Sequence, residues 1–291
     1  MKISSLMFVT NAIQRGDTFI EAIKSHLYFS DELILVDGGS VDGTVEAVKA
    51  LNDSRIKYTC LPWPEDFSWI EFATHANFGY EHATGDWVVT GESDHIFHEG
   101  NKVRETLKKN LNSNVPVISV MKKQTSVVDK FFSKAKIPYF INKKYFGNKI
   151  GYGLDRNNFS DLGKPIFIEN KISDYYYEGK LIEGKHSALE LFNYVWSFKT
   201  LDKIIKERTR ANKAWNKCPY LTQHFAESEN ETEVSNCVKQ LLLAKLDRSL
   251  QYTNEDIYPK IMIDKVKKEL KPGMFGYDVC GLIDYKPCFI K

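Results

Sequence analysis

A carboxylate and two glycines follow directly after an apolar run in this sequence. Residues 33–36 (LILV) lead to Asp37, which opens the polar run 37–44 (DGGSVDGT). In open α/β sheets, ligands bind beyond the carboxyl ends of the strands, and glycines there let the backbone approach a ligand closely. Asp37 or Asp42 is therefore placed to hydrogen-bond a ribose or a base. An ordinary strand-to-helix turn, in which Asp42 or Thr44 caps the next helix, explains the same residues.

A second acidic pair follows another strand-like run. Residues 87–90 (WVVT) lead through Gly91 to Glu92 and Asp94, which are two positions apart. Carboxylate oxygens suit Mg²⁺ and Mn²⁺, and Mg²⁺ is commonly shared with substrate phosphates. The pair therefore predicts half of a metal site. The alternative is a solvated acidic loop without an ion.

Hydrophobic periodicity predicts an α/β fold around these residues. Five apolar runs predict strands, at residues 3–9, 32–36, 56–60, 87–90 and 115–120. Amphipathic segments between them predict helices, so the pattern is typical of βαβ units and a mainly parallel sheet. Capping boxes begin helices at Thr18 and at Ser68, and Phe67 and Phe72 occupy the positions of a hydrophobic staple.

The second half of the chain has a different pattern. Glycine and proline interrupt residues 122–174, which predicts irregular structure of the kind that often forms binding loops. Beyond residue 200, apolar spacing predicts helices at 201–215, 231–250 and 257–270. We therefore expect one domain over residues 1–200 and a helical C-terminal extension over residues 201–291.

Composition restricts the function classes. The chain has 40 basic and 38 acidic residues and a formal charge of +2, which argues against nucleic-acid binding driven by bulk charge. No apolar run approaches the roughly 20 residues of a membrane span. The five cysteines are odd in number and lack metal-ligand spacing, so free thiols in a cytoplasmic setting are expected.

Taken in order, these segments resemble glycosyltransferase family 2. The resemblance covers residues 2–99, and four runs carry it as a set: 37–44 (DGGSVDGT), 77–79 (NFG), 83–88 (ATGDWV) and 92–94 (ESD). Residues 63–68 (WPEDFS) are similar to those of enzymes that add sugars to bacterial surface glycans. The resemblance implies a GT-A fold, a Rossmann-like α/β domain whose mixed, mainly parallel sheet is flanked by helices.

The resemblance also implies transfer of a sugar, with inversion, from a nucleotide-sugar donor. Asp37 and the backbone near Thr10 and Asn11 take the place of the base-binding residues, and Asp42 lies beside the nucleoside. Lys199 is a basic side chain able to neutralise the donor diphosphate. The complete expected donor-binding set is Thr10, Asn11, Asp37, Gly39, Asp42, Asn77, Glu92, Ser93, Asp94 and Lys199.

For the implied divalent cation, Mn²⁺ or Mg²⁺, Glu92 and Asp94 take the place of the family's Asp-x-Asp motif. Residues 192–196 (FNYVW) resemble the family's His-Tyr-Gly-Trp segment, whose histidine can complete the metal site, but this chain has Asn193. The expected ligands are therefore Asp94, Glu92 and Asn193, with His186 as a substitute by proximity in sequence. Ala76 is a further departure, since many relatives carry arginine there.

A separate general base must deprotonate the acceptor hydroxyl, and a carboxylate is the usual candidate. Asp155 and Glu183 lie in the region where relatives place acceptor-side residues, and the sequence does not choose between them. The acceptor is expected to be a glycan, a lipid-linked sugar or another hydroxyl compound. The basic run 265–268 (KVKK) is a candidate for peripheral membrane contact, but a solvated helix face explains it better.

The sequence thus predicts an inverting, metal-assisted glycosyltransferase. A UDP-sugar is favoured as the donor because Asp37 can accept a hydrogen bond from the uracil imide. One alternative is a degenerate GT-A protein that binds nucleotide or glycan without turnover, as Asn193 and Glu92 suggest. Another is a nucleotidyltransferase, although residues 10–16 (TNAIQRG) lack the expected glycine-rich basic loop.

Overall fold

The computed structural model describes residues 1–68, 70–97, 99–113, 115–127, 130–146, 151–152, 175–177, 180–181, 184–217, 227–251 and 259–283. The strands in these ranges are β1 (Ile3–Val9), β2 (Glu32–Asp37), β3 (Ile56–Cys60), β4 (Trp87–Gly91), β5 (His95–Phe97), β6 (Val117–Val127), β7 (Lys130–Asn142), β8 (Gly151–Tyr152), β9 (Tyr175–Tyr177), β10 (Lys180–Leu181), β11 (Lys185–Asn193) and β12 (Leu250–Gln251). The helices are α1 (Ala12–Arg15), α2 (Phe19–Leu27), α3 (Thr44–Lys49), α4 (Ile70–His82), α5 (Gly100–Asn110), α6 (Lys143–Phe146), α7 (Leu201–Asn216), α8 (Glu231–Asp247) and α9 (Lys260–Glu269).

The main sheet has the order β3-β2-β1-β4-β7-β6-β11-β5, and β12 pairs with β7. The first four strands are parallel, whereas β7 is antiparallel to both of its neighbours. Val9 pairs with Asp37, and Met7 pairs with Gly91. The carboxyl ends of β1, β2 and β4 therefore meet at one edge, which brings the two polar runs of the sequence to the same side of the sheet.

Alternation along β1 explains how the sheet is covered on both faces. Met7 lies in one buried cluster with Ile23 of α2 and Met262 of α9, whereas Leu6 lies in another with Tyr80 of α4. Successive strand residues point to opposite faces, so both faces of a central strand must be apolar. The α/β class predicted from the sequence is confirmed.

Gly79 allows α4 to lie close to the sheet. A Cβ atom at this position would lie 3.0 Å from the Cβ atom of Leu6. Glycine inside a helix costs about 1 kcal/mol relative to alanine, and here it permits a close approach of helix and strand.

The predicted elements of the first half are confirmed within a few residues. The clearest error is the interpretation of residues 122–174 as irregular, because much of the segment 122–142 belongs to β6 and β7. Leu250, predicted at the end of a helix, instead lies in β12, which pairs with Phe131 of β7. Thr18 is the N-cap residue of α2, but its hydroxyl makes no capping hydrogen bond.

The C-terminal helices lie against the rest of the chain in two ways. Helices α7 and α8 share a buried cluster that includes Ile204, Val238 and Phe275, whereas α9 joins the cluster beneath β1 and β2. The division at residue 200 stays a prediction. Among the helices that the structure describes, none is long and apolar enough to cross a bilayer.

Candidate active site

Asp37 ends β2 and is almost completely buried, with 1% of its surface exposed. Its Oδ1 accepts a hydrogen bond from the Ser40 hydroxyl at 2.6 Å, and its Oδ2 accepts one from the Tyr58 hydroxyl at 3.0 Å. The Ser40 amide lies 3.2 and 3.1 Å from the two carboxylate oxygens. The carboxylate therefore holds its own turn together, and its contact with a nucleotide base stays a prediction.

Asn11 joins the turns after β1 and β2. Its backbone is left-handed, with φ of 46°, its amide donates to the Ser40 hydroxyl at 2.8 Å, and its side-chain oxygen accepts from the Val41 amide at 2.9 Å. Asparagine tolerates this conformation better than most residues. The two turns thus form one rigid unit.

Asp42 also stabilises this unit through hydrogen bonds. It accepts hydrogen bonds from the Gln14 amide at 2.7 Å and from the Thr44 hydroxyl at 2.6 Å. Slight burial raises the pKa of Asp42, but these hydrogen bonds outweigh it and hold the pKa below the usual value. This supports the turn-bracing interpretation of Asp42, and its contact with a nucleoside stays a prediction.

A cavity of about 370 Å³ opens beside the turns. Its lining comes from both halves of the chain and consists of Thr10, Asn11, Gly38, Gly39, Trp63, Pro64, Glu65, Phe67, Arg210, Lys213, Ala214 and Lys217. Gly38 is essential to its shape, since a Cβ atom there would lie 2.1 Å from the Thr10 hydroxyl oxygen and 3.0 Å from the Trp63 ring. Of the predicted donor-binding residues, the cavity brings together Thr10, Asn11 and Gly39.

The aromatic wall of the cavity is held in place from behind. Trp63 stacks on Phe67, with ring centroids 4.4 Å apart. The Trp63 indole nitrogen lies 3.1 Å from Nδ1 of the buried His75. The two ring nitrogens of His75, Nδ1 and Nε2, each lie 2.7 Å from a carbonyl oxygen, of Glu71 and of Leu61 respectively. His75 therefore orients a wall residue and acts as a satisfied core histidine.

The opposite wall is the basic face of α7. Arg210, Lys213 and Lys217 line the cavity at helical spacing. The guanidinium carbon of Arg210 lies 5.8 Å from the ring centroids of both Trp63 and Phe67. Lys217 is paired with Asp66 at 2.6 Å.

A second cluster lies in the turn from β4 to β5. Ligand atoms of Glu92, Asp94 and His95 all lie within 4.8 Å of one another, and this is the group of potential metal ligands found among the described residues. His95 Nε2 lies 3.8 Å from Glu92 Oε2 and 3.9 Å from Asp94 Oδ1. This nitrogen is buried and has no hydrogen-bond partner in the described part of the chain.

The cluster fits a divalent cation. Burial raises the pKa of Asp94 to about 8, and the Glu92 and Asp17 carboxylates add to the effect, whereas Lys199 opposes it. Two carboxylates beside a buried nitrogen without a partner are costly to hold together without a positive charge. Carboxylate oxygens and an imidazole are suitable ligands for Mn²⁺.

Asn193, one of the predicted metal ligands, lies next to this cluster. It pairs with His95 across β11 and β5, and its Nδ2 lies 3.5 Å from Asp94 Oδ1. Its Oδ1 already accepts a hydrogen bond from the Val195 amide at 3.2 Å. Asn193 therefore lies beside Asp94, and its role as a metal ligand stays a prediction.

Lys199 is enclosed in a network of ion pairs. Its Nζ lies 2.7 Å from Asp17 Oδ1 and 2.9 Å from Glu207 Oε2, and 1% of its side chain is exposed. Arg15 contacts the same two carboxylates. Ser93, predicted to bind the donor, donates to Asp17 Oδ2 at 3.0 Å. Lys199 must leave these partners in part to contact a diphosphate.

The remaining predicted residues fall in different places. Asn77 is buried on α4. Asp155 and Glu183 lie outside the described residues. His186 is exposed at the beginning of β11, and at about 3.3 Å per strand residue it lies roughly 20 Å from Asn193. It is not part of the described cluster, so the suggestion that it replaces the family histidine is wrong.

Sequence reasoning did not include His95 among the expected ligands and did not identify Arg210. Adjacency to Glu92 and Asp94 was the available signal for His95. For Arg210 the sequence contains only basic residues at helical spacing, and nothing in it places α7 across from Trp63.

The geometry defines a class of protein. A mixed sheet, a cavity at the carboxyl ends of its parallel strands and an acidic cluster at the same edge of the sheet are features of the GT-A glycosyltransferases. The chain belongs to glycosyl transferase family 2, whose sequence profile matches residues 7–160, just over half of the 291 residues. It is accordingly a glycosyltransferase with a GT-A fold.

Similar solved structures share little sequence with the chain. The mannosyltransferase PcManGT from Pyrobaculum calidifontis, solved with GDP-Man and Mn²⁺, is 13% identical, with 85% of this chain and 73% of that chain covered and a TM-score of 0.44. TarS 1–349 of S. aureus is 14% identical, with coverages of 85% and 71% and a TM-score of 0.42. The glucosyl-3-phosphoglycerate synthase of Mycobacterium tuberculosis, solved with Mg²⁺ and UDP, is 19% identical over 42% of this chain and 43% of that chain, with a TM-score of 0.30. None of the curated proteins matches the sequence.

Proposed function

We propose that this glycosyltransferase transfers a sugar with inversion from a nucleotide-sugar donor, preferably a UDP-sugar, to a hydroxyl group of a glycan or a lipid-linked acceptor. The proposal includes a divalent cation, Mn²⁺ or Mg²⁺, held by Glu92, Asp94 and His95. The single observation that carries it is the buried His95 nitrogen facing two carboxylates at the carboxyl edge of the sheet.

The chain's own residues have separate tasks in this proposal. The turn unit of Asn11, Asp37 and Ser40 receives the nucleoside, and the cavity beside it accommodates the donor. A cation bound at the acidic cluster would supply electrostatic stabilisation of the negative charge that develops on the departing nucleoside diphosphate. The Glu92 and Asp94 carboxylates only need to hold the cation in place.

The acceptor hydroxyl requires a base that is separate from these ligands. Asp155 and Glu183 are the proposed candidates, and each is tested by a conservative change to asparagine or glutamine. Loss of transfer with retained donor binding in one variant identifies the base. We further propose that the protein is cytoplasmic and contacts the membrane peripherally, where a lipid-linked acceptor would be located. The free thiols of Cys60, Cys237 and Cys280 are compatible with this location.

The decisive experiment measures nucleotide release and donor binding with UDP-sugars and GDP-sugars, each with and without Mn²⁺. Asp94→Ala should abolish the dependence on Mn²⁺ and reduce donor hydrolysis by about a hundredfold or more. Asp202→Ala, at an exposed ion pair on α7, is the matched control and should behave like the wild type. Donor binding that is unaffected by Mn²⁺ and by Asp94→Ala would rule out the metal-assisted mechanism, and NMR of the product anomer tests inversion.

A further inference from the structure

The wall of the cavity formed by α7 carries positive charge without matching negative charge. Among the cavity-lining residues, Arg210, Lys213 and Lys217 are basic and only Glu65 is acidic. Lys217 is neutralised by Asp66. Arg210 and Lys213 have no ion pair or side-chain hydrogen bond within the described ranges. Two cations therefore face the cavity unpaired.

The electrostatics of helix α7 do not explain why a positive charge occurs at position 210. A positive charge in the last turn of a helix is favoured by the helix dipole, and Lys213 lies in that turn. Arg210 lies before it and is instead held over Trp63 and Phe67. The residue is exposed, and partial burial of its guanidinium together with the charge of Arg15 lowers its pKa, while Glu207 opposes this. The ring contacts thus hold the charged end of Arg210 at the cavity wall.

The neighbouring acid is already engaged by other cations. Glu207 accepts hydrogen bonds from Lys199 at 2.9 Å and from Arg15 at 3.2 Å. By contrast, Arg208, two positions away on the same helix, has a partner in Glu227 at 3.3 Å. Arg210 thus lacks a counter-charge among the described residues, whereas Arg208 has one.

The position of Arg15 links this wall to the acidic cluster. Arg15 lies 3.1 Å from Glu207 of α7 and 3.3 Å from Asp17. Asp17 in turn accepts a hydrogen bond from the hydroxyl of Ser93, the residue next to Asp94, at 3.0 Å. These contacts join the basic wall of α7 to the turn that carries Asp94. A guanidinium donates paired hydrogen bonds that suit a phosphate group.

We propose that Arg210, assisted by Lys213, binds the phosphate groups of the nucleotide donor from the α7 side of the cavity. In this proposal the C-terminal helical region supplies a donor-binding residue. Because this proposal rests on the proposed function, its test separates binding of the phosphates from binding of the nucleoside.

The experiment is calorimetric titration of UDP and of uridine, with GDP and guanosine as a second pair, at constant Mn²⁺. Arg210→Gln should weaken UDP binding by about tenfold or more and leave uridine binding unchanged, since a charge-assisted hydrogen bond is lost only with the phosphate. Lys213→Gln should have the same selectivity with a smaller effect. Arg208→Gln is the matched control and should bind both ligands like the wild type.

Several results would overturn the proposal. Equal UDP affinity in Arg210→Gln and Arg208→Gln contradicts it, as does an equal loss of UDP and uridine binding, which would mean that Arg210 only shapes the cavity. Loss of binding to phosphatidylglycerol vesicles with unchanged UDP binding would assign the anion to a lipid headgroup instead. If Arg210→Gln does not fold, Arg210→Lys and Lys213→Gln test the same difference between UDP and uridine. A wild-type protein that binds neither UDP nor GDP would refute the proposed function and this proposal with it.

Discussion

The imidazole of His95 faces the carboxylate of Asp94, with His95 Nε2 3.9 Å from Asp94 Oδ1. The opposite ring nitrogen, Nδ1, lies 3.3 Å from the Tyr139 hydroxyl, which orients the ring. Burial lowers the pKa of His95 to about 4, although Glu92 opposes the shift. The ring is thus held neutral, and in the tautomer whose Nδ1–H donates to Tyr139, Nε2 presents its lone pair to the cluster, which is the state a metal-binding histidine needs.

His95→Ala should weaken Mn²⁺ binding by about tenfold or more, because it removes the nitrogen ligand and leaves two carboxylates. Mn²⁺ affinity measured by electron paramagnetic resonance checks this. His82→Ala, at an exposed histidine on α4, is the matched control and should bind Mn²⁺ like the wild type. An unchanged Mn²⁺ affinity in His95→Ala would mean that His95 is not a ligand and that Glu92 and Asp94 alone bind the ion.

Asp37→Asn should weaken UDP binding by about tenfold, because the amide replaces a charged acceptor with a group that is half donor. Tyr58→Phe is the matched variant, since it removes only the hydroxyl that donates to Asp37 Oδ2. It should leave UDP binding intact or slightly stronger, as the carboxylate oxygen gains a free acceptor site. Calorimetric titration checks both variants. Equal affinities of the two variants for UDP would mean that Asp37 only stabilises its own turn.

The elements that the sequence predicted well depend on local patterns. β1 begins and ends at the predicted residues because a short apolar run bounded by polar residues specifies a buried strand, and β3 also has its predicted bounds although it is partly exposed. Beyond the predicted first part of β6, the long hairpin of β6 and β7 was missed because its lysines and Pro138 break the apolar pattern. Pro138 pairs with Ser119 next to a register shift, where the ladder tolerates a missing amide donor.

The site was predictable only in part, because much of it depends on contacts between distant segments. Asp37, Glu92 and Asp94 follow strands and were found from their position. Arg210 meets Trp63 only because the fold brings α7 across the carboxyl edge of the sheet. No local periodicity encodes such a contact, so sequence reasoning on a single chain does not reach it.

Lys199→Met should reduce the free energy of unfolding by about 3 kcal/mol, because it leaves the buried Asp17 with only Arg15 as a cationic partner. Urea denaturation checks this value. Lys206→Met, at an exposed pair with Asp202, is the control and should leave stability unchanged. A Lys199→Met protein as stable as the wild type but with weaker UDP binding would instead support the predicted contact with the diphosphate.

His26 should make the protein less stable in acid. The ring is fully buried, its Nδ1 lies 2.9 Å from the Ser5 hydroxyl, and burial lowers its pKa to about 3, with a further contribution from His95. Because the unfolded chain binds this proton near pH 6.5 and the folded protein does not, stability is lost as the pH falls from about 6.5 toward 3. This one group should contribute up to about 1.4 kcal/mol per pH unit to the slope. His26→Gln should therefore show a shallower dependence of the unfolding free energy on pH than the wild type, whereas His82→Gln should keep the wild-type slope. Parallel curves for all three proteins between pH 4 and 6.5 would contradict the prediction.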